Sequence, residues 1–84
     1  MKRLTLKNEK GFTVSDSDLQ EALRRLAAFE DAYDELADSM ASLPAEMDKL
    51  KAEKKEKTVH YRELLGQKLL NAQIMALFER HGIF

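Results

Sequence analysis

The sequence predicts a mainly α-helical protein. A short N-terminal β-hairpin leads into two unequal antiparallel helices, a single domain over residues 1–84 that assembles as an oligomer. Three observations carry this. Between Leu19 and Leu50 one apolar column reads Leu19, Leu26, Tyr33, Met40, Met47, and a second reads Ala22, Phe29, Leu36, Leu43, Leu50. The columns alternate at three and four residues, the spacing that keeps one seam of a helix turned to a partner. Charged side chains make up 35% of the chain against one Pro and three Gly, a composition of long helices. The N-terminal stretch alternates with period two instead, as a strand does.

The hairpin is expected over 1–14. Leu4 and Leu6 alternate with Thr5 and Lys7, and Phe12 and Val14 flank Thr13. Asn8-Glu9-Lys10-Gly11 lies between, with Gly11 suited to the positive φ of a tight turn. An isolated hairpin is marginal in water, so this one must dock on a helix or another chain.

Ser15-Asp16-Ser17-Asp18 reads as a helix start, with Ser15 or Ser17 as cap and the two carboxylates at the positive end of the helix dipole. The first helix is expected over roughly 16–41. Pro44 inside a helix removes one hydrogen bond and clashes with the preceding turn, at about 3 kcal/mol, whereas at the first turn of a new helix it costs little. Ser42-Leu43-Pro44-Ala45-Glu46 therefore reads as a cap and a restart, with a kinked continuous helix as the other solution. The second helix is expected over roughly 45–81, closed by Gly82 in a left-handed cap. It would be the longer of the two, and its last ~10 residues would overhang. A turn at 43–44 would also set the acidic residues Glu30, Asp31, Asp34, Glu35 and Asp38 against Lys49, Lys51, Lys54, Lys55 and Lys57.

The last third is apolar on several sides. Leu64, Leu65, Leu69, Leu70, Ile74, Leu77 and Phe78 spread around most of a helix circumference at ~100° per residue. One partner helix cannot cover them, and a chain this short buries a limited core, so a homo-oligomer is expected.

Chemistry is sparse. There is no cysteine, hence no disulfide and no thiolate metal site, which fits a reducing cytoplasm. No apolar run reaches ~20 residues, which excludes a helical membrane span, and the N-terminus lacks the apolar core of a secretory signal. The net charge of −1 offers no basic surplus for direct nucleic-acid binding. His60 and His81 stand in no metal-ligand spacing, and no phosphate loop or nucleophile motif occurs. Neither a cofactor nor an enzyme is expected. Asp31, Asp34 and Glu35 read as a solvated acidic face. Among the polar candidates Arg24, Arg25, Tyr61, Arg62, Asn71, Gln73 and Arg80, three stand out for ligand binding. Asn71 sits in the apolar stretch, where an unsatisfied amide costs ~1–3 kcal/mol, so it either sets register in an oligomer core or hydrogen-bonds a ligand in a pocket between subunits. Arg62 and Arg80 would supply phosphate-binding forks beside it.

The segments RLTLKNEKGFTV, EALRRLAAFED and LLGQKLLNAQIMALFERHGIF together resemble a group of small proteins of phages and prophages of Firmicutes. Those proteins have a Leu-Thr hairpin, an Ala-Leu-x-Arg-Leu-Ala-x-aromatic-Glu-Asp helix and a C-terminal helix ending Leu-Phe-Glu-x-x-Gly-Ile. The resemblance covers both ends of the chain and carries no catalytic logic. It implies a non-catalytic role such as blocking host defence. One form is an oligomeric sponge that sequesters a nucleotide immune signal of cyclic nucleotide or ADP-ribose type. The alternatives are a protein–protein inhibitor of a host defence complex, anti-CRISPR-like, and a phage structural or assembly coiled-coil module.

Overall fold

The computed structural model describes residues 1–83; Phe84, the end of the expected domain and of the C-terminal motif, lies outside them. The order of elements is β1 (Thr5–Asn8), β2 (Gly11–Val14), a 3₁₀ turn (Asp16–Asp18), α1 (Leu19–Ala52) and α2 (Val59–Arg80). The chain divides into two compact units, Met1–Asp34 and Glu35–Phe84, with α1 contributing to both.

In the first unit β1 and β2 pair antiparallel, with Thr5 opposite Val14 and Asn8 opposite Gly11. The turn forms as its residues dictate. Lys10 donates its backbone N–H to Asn8 Oδ1 at 2.9 Å, and Gly11 takes φ +124°, a value that a side chain disfavours. The expected hairpin is thus present. The 3₁₀ turn then closes with Asp18 N–H on the Ser15 carbonyl at 2.9 Å. Ser15 does not cap with its side chain as expected; its hydroxyl donates to Asp18 Oδ2 at 3.0 Å. Leu4 is the buried residue of this unit. The segment before β1 is tied to α1 by Arg25, whose guanidinium donates to the Lys2 carbonyl.

The second unit corrects the helix boundaries. Pro44 neither breaks nor restarts a helix: α1 passes through it and ends at Ala52. The heptad stripe explains why. It stays in phase across Pro44, and Leu43 and Met47 on that seam are the most deeply buried apolar side chains, each 6% exposed. Burying each is worth ~1.5–3 kcal/mol, enough together to offset one missing hydrogen bond and a ring clash of ~3 kcal/mol. Ser42, read as a cap, instead turns its hydroxyl back to the Ser39 carbonyl at 3.3 Å.

The chain reverses at 53–58, just after the stripe ends at Leu50. Glu53-Lys54-Lys55-Glu56-Lys57 offers no apolar side chain to bury, so nothing there rewards another turn of helix. The end is a paired cap: Lys55 N–H reaches the Leu50 carbonyl at 2.8 Å and Lys54 N–H the Lys51 carbonyl at 3.0 Å. Lys54 takes φ 58° to make it. Thr58 then caps α2, its hydroxyl accepting the Tyr61 N–H at 3.2 Å. The far end of α2 repeats the paired cap, with Gly82 at φ +69° as the sequence predicts and Ile83 N–H on the Phe78 carbonyl at 3.0 Å.

Two further expectations fall with the turn at 43–44. The first helix, at 34 residues, is longer than the second, at 22, so the overhang of the second is absent. Lys49 and Lys51 lie on α1 together with the acidic residues they were to face. The ion pairs form elsewhere, at Glu21 with Arg24 and Arg25 and at Glu53 with Lys55.

Candidate interaction surfaces

α2 carries two seams on opposite sides. The inner one runs Tyr61, Leu64, Lys68, Asn71, Met75, Phe78, again alternating at three and four residues. Apart from Lys68 these side chains are buried or half-buried. Asn71 is the most enclosed side chain in the molecule at 2% exposed. Its amide is fully used: Nδ2 donates to Ser39 Oγ at 2.9 Å across to α1, and Oδ1 accepts from Gln67 Nε2 at 2.7 Å along α2. A shallow cleft of about 120 Å³ opens beside it, lined by Met40, Leu43, Pro44, Lys68 and Ala72. Both partners of the Asn71 amide lie within this chain. Because a buried amide must find partners, Ser39 against Asn71 fixes which turn of α2 sits on which turn of α1.

The outer side of α2 is exposed and apolar. Leu69 and Leu70 are 58% and 49% exposed, and Leu65 and Leu77 are exposed beside them. Arg62 and Arg80 bracket this face. They are about five helical turns apart, so they share one line along α2, about 27 Å from end to end. Asn71 stands about two and a half turns from each, on the opposite side of the helix. A single chain therefore does not bring the three predicted ligand residues together.

The first unit has an apolar surface of its own. A broad open groove of about 380 Å³ is lined by Met1, Arg3, Leu4, Ala22, Arg25 and Leu26. Beside it Phe12, Leu19 and Leu23 are exposed. Arg24 and Arg25, also read as polar candidates, converge on Glu21. Arg24 donates through Nε at 2.9 Å and through its terminal nitrogen at 2.6 Å, and Arg25 through Nε at 3.2 Å. The two-point hydrogen bond from Arg24, helped by Arg25, lowers the Glu21 carboxyl to about 2. These arginines are held to protein groups.

Among the described residues no group of three or more His, Cys, Asp or Glu side chains converges to hold a metal ion, and no helix is long and apolar enough to cross a membrane. No family model matches the chain, and no curated protein or solved structure matches it.

Proposed function

We propose that this chain works by contact as a self-associating, phage-type anti-defence protein that sequesters a small anionic signal of nucleotide class. The observation that carries the reading is the outer face of α2, where exposed leucines stand between two arginines on one line. Exposed contiguous apolar surface on a small helical unit marks a contact site. Guanidinium groups at its edges suit phosphate oxygens. The anti-defence assignment rests on the resemblance to phage proteins. Arg62 and Arg80 carry the ligand contact in this reading, and Asn71 supports them from the inner seam by holding α2 in register.

The test is native mass spectrometry of protein purified from cells, which reports copy number and retained ligand together. It is followed by thermal shift with cyclic ADP-ribose isomers and cyclic di- and trinucleotides. A ligand that binds the folded state adds about 2.7 kcal/mol at a hundredfold excess over its dissociation constant. Arg62→Ala and Arg80→Ala should each reduce that shift. A multimer that no nucleotide stabilises would contradict the sponge.

One observation favours a second reading. Glu30, Asp31, Asp34, Glu35 and Asp38 are all exposed, and the lysines expected to face them do not. A free acidic helix suits a protein inhibitor that presents nucleic-acid-like charge to a host complex. Capture of one defined host protein, lost on neutralising these carboxylates, would select it.

A further inference from the structure

Taken about Asn71, the outer face of α2 carries like residues at several mirrored positions. Arg62 and Arg80 stand at equal distances from this centre, as do Leu65 and Leu77, Gly66 and Ala76, and Leu69 and Gln73. In an antiparallel pair a two-fold axis through this centre sets each residue of one copy against its mirror position in the other, so leucine meets leucine and the small residues leave room between the helices. We infer that the outer face of α2 pairs antiparallel with the same face of a second copy of this chain, and that the pairing sets Arg62 beside the partner's Arg80 at each end. This rests on the self-association proposed above and names its partner, direction and register.

Gly66 supports the occupant independently. It lies inside α2, where Gly costs roughly 0.5–1 kcal/mol relative to Ala. Among the described residues nothing beyond its own stretch of helix lies within 4 Å of where a Cβ would stand. In the antiparallel pair that open space receives the partner's Leu77. Leu69 shares a layer with the partner's Gln73, and Leu70 meets the partner's Leu70 beside the two-fold axis. Opposed helix dipoles favour the same direction. Polar groups meet as well: Glu63 and His81, exposed and about five turns apart on one flank, come together between copies.

The arginines gain a role from the pairing. Within one chain they are about 27 Å apart, too far to hold one small anion. Across the axis they converge, two guanidinium groups at each end, with Glu63 and the partner's Glu79 each turned about 100° around its own helix. Each end of the pair then offers an open fork for a phosphate-class oxyanion.

The absence of cysteine makes the test clean. Arg62→Cys and Arg80→Cys are made singly in the full chain, mixed, and oxidised mildly. A disulfide needs Cα atoms within about 7 Å. The antiparallel pair predicts a cross-link in the mixture and none in either variant alone. Self-cross-linking of each variant alone overturns it in favour of a parallel pair. A native dimer whose mixture does not cross-link overturns the register while self-association stands. A native monomer overturns both. Inorganic pyrophosphate should tighten the native pair several-fold and leave the double variant Arg62→Ala/Arg80→Ala unmoved; an equal response in both overturns the shared fork.

Discussion

The two sides of α2 differ in what they ask of their surroundings. The inner side buries Asn71 with both ends of its amide satisfied, and sets aromatic and aliphatic side chains toward the interior. The outer side leaves leucines exposed among the described residues. The inner seam thus makes the fold, and the outer seam is spare apolar surface, the kind that a contact protein presents. The difference teaches that apolar residues spread all round a helix are best sorted into two heptad seams before any are assigned to a core. It also predicts that mutations on the two sides fail in different ways.

The largest effect is expected at the buried stripe residues of α1 in the same unit. Leu43→Ala or Met47→Ala should lower unfolding free energy by about 2–5 kcal/mol, because either leaves a cavity at a buried site. Leu69→Ala should cost far less in the dissociated chain; urea titration at low protein concentration reads both. Asn71→Ala comes next. It strands the Ser39 hydroxyl and the Gln67 amide, for a loss of about 1–3 kcal/mol by the same titration. If Asn71→Ala were neutral, the inner seam would owe its register to packing alone.

On the outer seam, Leu70→Glu should keep native helix content by circular dichroism yet remove the concentration dependence of the thermal midpoint. Two carboxylates would then meet at the interface. At the chain reversals the comparison is between Lys54 and Gly82, which make the same cap with and without a Cβ. Lys54→Gly should stabilise by about 1 kcal/mol, since the left-handed conformation costs a side-chain-bearing residue about 1–2 kcal/mol. Gly82→Ala should do the reverse, and thermal denaturation ranks the two.

The smallest effect is electrostatic. Glu21 has its carboxyl lowered from 4.5 to about 2, so its contribution is complete above pH 4.5 and is lost as the pH falls toward 2. Glu21→Gln should therefore be less stable than the native chain at pH 6, and the gap should close by about pH 2. Denaturation midpoints at the two pH values test it. The side chain is solvent-exposed, which keeps the effect small.

Much of the architecture was legible in the sequence because it lies in local pattern. Gly11 and Gly82 announced their positive φ, and the unbroken stripe from Leu19 to Leu50 announced a helix. The misplaced turn came from weighing a local signal, Pro44, above a longer-range one, the phase of that stripe. The true reversal had its own marks in an apolar-free run and a Thr at position 58, but a left-handed Lys54 has no sequence signature. The candidate surface was legible only as composition. That Asn71 faces away from Arg62 and Arg80 follows from counting turns, yet its partner Ser39 is 32 positions away and emerges only once the reversal is fixed.

The central claim is that the outer face of α2 is an interface, and mass in solution tests it most directly. Light scattering on the native chain at micromolar concentration should give at least twice the 9.7 kDa of one chain, falling to one chain in Leu70→Glu. A native chain that scatters as a compact 9.7 kDa monomer across that range would contradict the account.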